Sequence, residues 1–219
     1  MLEVKRDQLK KLSDEEIINK VRAGNNECFS EIVRRYNQRM YRITVGYGIY
    51  DDDCEEVIQL AYISAFEKID QFRGEAKFST WLIRILINEC LMLKRKQKKL
   101  IGFSEKELVT ISSGNHLNPE SEYMDKERKI ILETAIKQLP EKYRAVFILK
   151  EIEGMQIKEA AEILAISKVN VKVRLHRARA MLKNIISDVS DPSNLLTFGN
   201  ERCDRVTNAV MEFIRKNEK

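Results

Sequence analysis

Proline and glycine are scarce, 3 and 8 in 219 residues, too few to supply the turns of a β-rich fold. Helices are therefore expected throughout. Cysteine and histidine are sparse as well. Cys28, Cys54, Cys90 and Cys203 lie far apart with no Cys-x-x-Cys pair, and neither His116 nor His176 stands at ligand spacing from one of them, which argues against a zinc site or any other metal centre. Cys54 and Cys90 fall on apolar helical faces, where a reduced core thiol is expected. No run approaches the roughly 18 apolar residues of a membrane span. Residues 1–11 are charged where a signal peptide would be apolar, so a cytoplasmic protein without membrane insertion is expected. The chain also has no phosphate-binding loop and no nucleophile constellation. No catalytic residue and no cofactor are assigned, and the chain is not expected to be an enzyme.

What is present is 43% hydrophobic and 33% charged residues, a balance suited to a folded helical protein, in a length sufficient for two compact domains of about 90 residues each. The net charge of +5 says less than its distribution. Cations concentrate at residues 94–99 and again at 168–183, while residues 51–56 are acidic. Two different kinds of surface are implied.

Ser13 and Glu16 have capping-box spacing ahead of Ile17, Ile18 and Val21, with Gly24 as a stop. Phe29, Ile32, Val33, Tyr36, Met40 and Ile43 then recur at three- and four-residue steps, the stripe of a longer helix. Asp51 to Asp53 offer the next cap, followed by a stripe of Cys54, Val57, Ile58, Ala61, Ala65 and Ile69. A third long helix carries Trp81, Leu82, Ile85, Leu86 and Leu93 into the basic run, where cations suit a helix C-terminus. The periodicity fades after Leu100. Ser112, Ser113, Gly114, Asn115, Asn118 and Pro119 read as a linker, in which only Ile101 and Phe103 look able to dock. Helical pattern resumes near Asp125 with Ile130, Ile131, Ala135 and Leu139, and a new helix starts at Pro140 with Tyr143, Val146 and Phe147 as its face.

After Gly154, a helix over 157–164, a tight Ala165-Ile166-Ser167 connection and a basic helix over about 168–186 have the layout of a helix-turn-helix. Val171, Leu175, Ala178 and Leu182 follow the i, i+4, i+7, i+11 series of a buried face. This leaves Lys168, Asn170, Lys172, Val173, Arg174, His176 and Arg177 for the side that would meet a major groove. Small Ala161 lets the two helices approach, and Ser167 can cap the second. Taken alone, such a face could equally be a solvated basic surface. The first basic run is just as ambiguous, but it follows Phe72-Arg73-Gly74-Glu75-Ala76-Lys77-Phe78-Ser79-Thr80-Trp81, which mixes aromatics with cations at a helix start. Unpaired bases stack on aromatic side chains while cations hold the phosphates; packing in a core is the competing reading for each aromatic separately. Beyond Asp191-Pro192-Ser193, Cys203, Val206, Val210, Phe213 and Ile214 mark one side of a further amphipathic helix, which is expected to cap the second domain or to contact a partner.

Together these residues resemble the extracytoplasmic-function (ECF) group of sigma factors in the sigma-70 family. The likeness spans residues 13–186. It rests on Phe66-Glu67-Lys68-Ile69-Asp70-Gln71-Phe72-Arg73-Gly74, on Phe78-Ser79-Thr80-Trp81-Leu82-Ile83-Arg84-Ile85 followed by Asn88, on Leu139-Pro140-Glu141-Lys142-Tyr143-Arg144, and on the Arg-Leu-His-Arg-Ala-Arg ending of the basic helix. The resemblance implies an all-α fold with two helical domains joined by a flexible linker. Sigma region 2 would occupy residues 1–99, the linker 100–124, region 4 with its helix-turn-helix 125–187, and a C-terminal extension 188–219. It implies that core RNA polymerase is the partner, through its largest-subunit clamp helices and its flap, together with promoter DNA and an anti-sigma factor. Asp53, Glu56, Val57, Gln59, Leu60, Ile63 and Phe66 would bind polymerase. Phe72, Arg73, Lys77, Phe78, Ser79, Thr80, Trp81, Arg84, Asn88, Lys94 and Arg95 would capture the minus-10 element, and the exposed face of the basic helix would read the minus-35 element. Where family members often show Gly-Thr, this chain has Val169-Asn170, and Val173 replaces a small polar residue. The alternative is a stand-alone helix-turn-helix regulator, which would leave the first domain unexplained.

Overall fold

The computed structural model describes residues 9–101, 120–186 and 195–217. Residues 102–119 of the linker expected over 100–124, and the Asp191-Pro192-Ser193 separator, lie outside the described residues, while 100–101 and 120–124 are helical. Among those described there is no strand. The helices are α1 (Asp14–Arg22), α2 (Phe29–Gly46), α3 (Asp51–Glu67), α4 (Phe78–Ile101), α5 (Glu120–Gln138), α6 (Glu141–Phe147), α7 (Ile157–Leu164), α8 (Lys168–Ile186) and α9 (Asn200–Lys216).

Local chemistry sets many of these boundaries. At the start of α1 the Glu16 N–H donates to Ser13 Oγ (3.2 Å) and the Ser13 N–H to Glu16 Oε2 (2.7 Å), satisfying two amides that have no partner within the helix. The chain then turns at Gly24 with φ +90°, a conformation that costs glycine nothing. The cap of α3 differs from expectation. Tyr50 is the cap residue and makes no side-chain capping bond, while Asp51, Asp52 and Asp53 form the first turn, where their charges suit the positive end of the helix dipole.

Helices α2, α3 and α4 form a bundle around Phe29, Ile32, Met40, Ile58, Tyr62, Phe78, Leu82 and Leu86, all at most 1% exposed. The stripes expected for α2 and α3 are buried in full. Tyr62 satisfies its hydroxyl inside this core by donating to the Val33 carbonyl at 3.1 Å. Cys54 and Cys90 are fully buried free thiols, and burial pushes both pKa values up to about 12.

The second half packs α5 to α8 together. Val171, Leu175, Ala178 and Leu182 are 0, 6, 0 and 2% exposed, the face expected of the second helix of the helix-turn-helix. On α5 the outcome differs: Ile130 and Ile131 are 62% and 49% exposed, and the core face is Leu132, Ile136 and Leu139. Leu132 and Ile136 continue the three- and four-residue steps back from Leu139, which turns Ile130 and Ile131 away from the core.

The two halves lie against one another. Arg144, 7% exposed, donates from Nε to the Gly46 carbonyl at 3.0 Å and from Nη1 to the Lys137 carbonyl, and burial lowers its pKa. Gly46 faces Ile148 and Ala145. Glu153, whose side chain is only 4% exposed, accepts from Arg39 Nε (2.6 Å) and Arg42 Nη1 (3.1 Å).

The C-terminal helix corrects one expectation. Helix α9 does not cap the second domain; it lies in the groove between α2 and α3 of the first. Val206, Val210, Met211 and Ile214 are buried there, and Glu55 on α3 accepts from Arg202 Nε (2.6 Å) and from Arg205 Nε and Nη2 (3.0 and 2.6 Å). Antiparallel alignment with α2 follows from Arg34 meeting Asp204 and Glu27 meeting Arg215.

Candidate nucleic-acid interface

Helix α8 is positioned by the turn before it. Ala165 takes a left-handed conformation, φ +51°, which ends α7 sharply and lets Ser167 Oγ accept the Asn170 N–H at 3.1 Å. With the apolar face of α8 committed to the core, Lys168, Asn170, Lys172, Val173, His176 and Arg177 are exposed and Arg174 half-buried. Arg174 Nε bonds Asn170 Oδ1 at 3.0 Å, so these two side chains present one coupled polar unit. Arg177 Nη1 donates to the Tyr143 hydroxyl at 3.2 Å, which holds the guanidinium toward α6. Val169 and Val173 are 69% and 43% exposed, two apolar spots of the kind that meets a thymine methyl.

The segment entering α4 is organised around its aromatics. Phe72, Phe78 and Trp81 form a triangle with ring centroids 5.3 to 5.5 Å apart, and Tyr36 touches the edge of Phe78. Phe72, Phe78 and Thr80 are buried, at 8, 1 and 5% exposure, whereas Trp81 is partly buried. Arg73, Lys77, Arg84, Asn88 and Arg95 are exposed, and Ser79 and Lys94 intermediate. The segment thus offers one half-open indole packed on two buried phenylalanines, with exposed cations before it and along α4 after it. Arg22 donates from Nη2 to the carbonyls of Ile69 and Phe72 at 2.7 and 2.5 Å and pins this segment to α1. Sequence reasoning did not single out Arg22, because a side chain that binds backbone across fifty residues leaves no periodic trace.

On α3, Asp53, Glu56 and Leu60 are exposed, Leu60 at 44%, while Gln59, Ile63 and Phe66 are half-buried and Val57 is in the core at 2%. Phe66 leans edge-on against Phe29. Asp53 Oδ2 accepts from Gln97 Nε2 at 3.1 Å.

The first basic surface lies against α7, the helix that precedes α8. Lys77 Nζ meets Glu159 Oε1 at 2.8 Å and Arg84 Nη2 lies 4.0 Å from Glu162 Oε2, both glutamates belonging to α7. The hydrogen bond from Lys77 holds the Glu159 carboxyl below the usual carboxylate range. Lys94 is engaged as well, by the Tyr47 carbonyl at 2.9 Å and by Glu141. Among the described residues no group of His, Cys, Asp and Glu could hold a metal, and no helix is long and apolar enough to cross a membrane.

The chain matches the family models for Sigma-70 region 2 over residues 32–100 and Sigma-70, region 4 over residues 129–182. It is similar to the ECF RNA polymerase sigma-E factor of Haemophilus influenzae, 30% identical over 182 residues, covering 80% of this chain and 96% of the relative. It is also similar to the ECF RNA polymerase sigma factor SigW of Bacillus subtilis, 31% identical over 179 residues, with 78% and 96% covered. The fold is shared with CnrH, solved in complex with the cytosolic domain of CnrY, at a TM-score of 0.55 and 24% identity, covering 81% of this chain and 99% of that one. The sigma factor RpoE of Bartonella quintana, solved with the anti-sigma factor NepR, gives a TM-score of 0.54 at 22% identity, with 77% and 98% covered. With both sigma-70 regions present in order and relatives aligned over most of its length, the chain belongs to the ECF sigma factors of the sigma-70 family.

Proposed function

We propose that this sigma factor reads the minus-35 element with the outer face of α8 and captures the melted minus-10 element at the start of α4, while core polymerase is held on the exposed side of α3. The carrying observation is the separation of faces on α8: every apolar residue of its core series is buried, and cations, Asn170 and Val173 are left outward. Residues 1–99 would act as region 2, 100–124 as the linker, 125–187 as region 4 and 188–219 as an extension. Within the polymerase-binding set, Asp53, Glu56 and Leu60 make first contact with the clamp helices. Region 4 would meet the flap.

At the minus-10 element, melting about a turn of duplex is offset by stacking of unpaired bases, each worth roughly 1–3 kcal/mol. Trp81 supplies the platform, Phe72 and Phe78 hold it rigid from below, and Arg73, Lys77, Arg84 and Arg95 neutralise phosphates. The chemical step belongs to the polymerase, and the chain acts in the cytoplasm beside it. An anti-sigma factor, the kind of partner that RpoE carries in its solved complex, would cover these same surfaces. The test is run-off transcription with core polymerase and a pool of promoter fragments. Promoter-specific transcripts that depend on the added protein are expected. Folded protein that neither binds core polymerase nor yields a transcript would overturn the reading in favour of a stand-alone helix-turn-helix regulator, which should instead shift promoter DNA unaided.

A further inference from the structure

The strap that leads into α9 touches both halves of the molecule. Leu195, Leu196 and Phe198 are 1, 2 and 5% exposed. From α2, Gln38 Nε2 donates to the Leu196 carbonyl (2.7 Å), its Oε1 accepts the Phe198 N–H (2.9 Å), and Arg42 Nε donates to the Leu195 carbonyl (3.0 Å). From α5, Glu133 Oε1 accepts the Leu196 N–H (2.7 Å) and Lys129 Nζ donates to Thr197 Oγ1 (3.0 Å). Phe198 stacks on Tyr41 of α2 at 4.9 Å. Leu196 adopts φ +52° to make these bonds, a conformation disfavoured for a leucine and held by its surroundings. Arg42 also bonds Glu153, so one side chain ties α2, the strap and the helix-turn-helix half together. Beyond the strap, α9 is anchored to the first half through the Arg202–Glu55–Arg205 cluster.

This arrangement conflicts with simultaneous reading of two promoter elements. Sites centred near minus-35 and minus-10 lie about 25 base pairs apart, roughly 85 Å at 3.4 Å per pair. Duplex DNA is stiff over about 150 base pairs, so it does not fold back over that distance without large cost. In the structure, Lys77 and Arg84 are bound to Glu159 and Glu162 on the helix immediately before α8. The helix-turn-helix half is therefore seated directly on the minus-10 surface, far closer than the spacing of the two elements allows. The two must part before both elements are engaged.

We propose that residues 195–216 form an intramolecular clasp: α9 seats in the α2–α3 groove and the strap fastens the helix-turn-helix half to the first bundle, so that the sigma factor is closed until the clasp is displaced. This rests on the sigma reading above. Its occupant is part of the same chain, and its chemistry is an apolar helix face with an arginine pair on a mostly buried carboxylate. The glutamates of α7 are then internal stand-ins for phosphates, occupying the cations of the minus-10 surface in the closed state.

The test compares the full chain with two variants, R202A/R205A and a truncation ending at residue 186, each checked for helix content by circular dichroism. Solution scattering reads the arrangement of the two halves, and run-off transcription at limiting core polymerase reads activity. The expected result is a larger radius of gyration in both variants and a lower concentration requirement, on the order of tenfold, as when a competent state populated one-tenth of the time becomes dominant. Unchanged scattering in both folded variants would overturn the clasp. Larger radii with unchanged or weaker transcription would overturn its inhibitory role. No transcript from any of the three proteins would instead strike the sigma reading, and scattering would still decide whether residues 195–216 hold the halves together.

Discussion

In α8 the apolar residues that hold the helix down lie on one face and its cations, Asn170 and Val173 on the other, whereas between residues 72 and 84 the same aromatics build the core and support the surface. Val171, Leu175, Ala178 and Leu182 face inward, and from the outer face Arg177 reaches back to the Tyr143 hydroxyl of α6. In the other region Phe72 and Phe78 are buried in contact with Trp81, which is itself only half open. Recognition by a helix in a groove needs only a side, so it can be altered cheaply. Capture of an unstacked base needs a rigid flat platform, and rigidity is supplied by packing.

The contrast can be broken most forcefully at Phe78. Phe78→Ala removes a side chain that is 1% exposed and should cost about 3–5 kcal/mol, read as a large fall in thermal midpoint together with loss of transcription; a stable Phe78→Ala protein would show that the platform and the core are separable. Trp81→Ala is expected to lose the roughly 1–3 kcal/mol of one stacked base. Transcription from duplex promoters should drop about tenfold or more, with recovery on a template already unpaired at minus-10, whereas equal loss on both templates would place Trp81 in structure alone.

Smaller effects are expected in α8. Ser167→Ala deletes the cap that receives the Asn170 N–H and should cost about 1 kcal/mol of stability, measurable by urea denaturation. Lys172→Ala, on the exposed face, should leave stability within about 0.5 kcal/mol and lower the salt dependence of promoter binding by about one counterion. Val173→Ser should leave overall binding nearly unchanged and shift base preference at one minus-35 position; an unaltered promoter profile would remove Val173 from the reading face.

Much of this was legible in the sequence because helical period is a local property. The stripes of α2, α3 and α8 and the cap at Ser13 were read from spacing alone and are the buried faces and bonds observed. The aromatics of residues 72–81 could be named but not divided into buried and half-open, since burial depends on what packs from α2 and α1. What escaped is tertiary pairing between charged residues. Arg39 and Arg42 look like solvated positions on an amphipathic helix, yet they hold Glu153 from more than a hundred residues away. Glu55 sits in an acidic run and reads as surface, but two arginines near the other end of the chain cover it. The seat of α9 was missed for the same reason: amphipathicity shows that a helix has a partner and does not say which.

Gly48 ties these distant parts of the sequence in a different way. Its φ is +74°, and a Cβ there would come within 2.6 Å of Arg144 Nη2. Positions 48 and 144 are consequently in steric contact. A side chain at 48 would have to adopt a left-handed backbone and displace the end of the Arg144 guanidinium, whose other nitrogens bind the Gly46 and Lys137 carbonyls. Across related chains the pair should change together, and that shared history would record which of them close in this way.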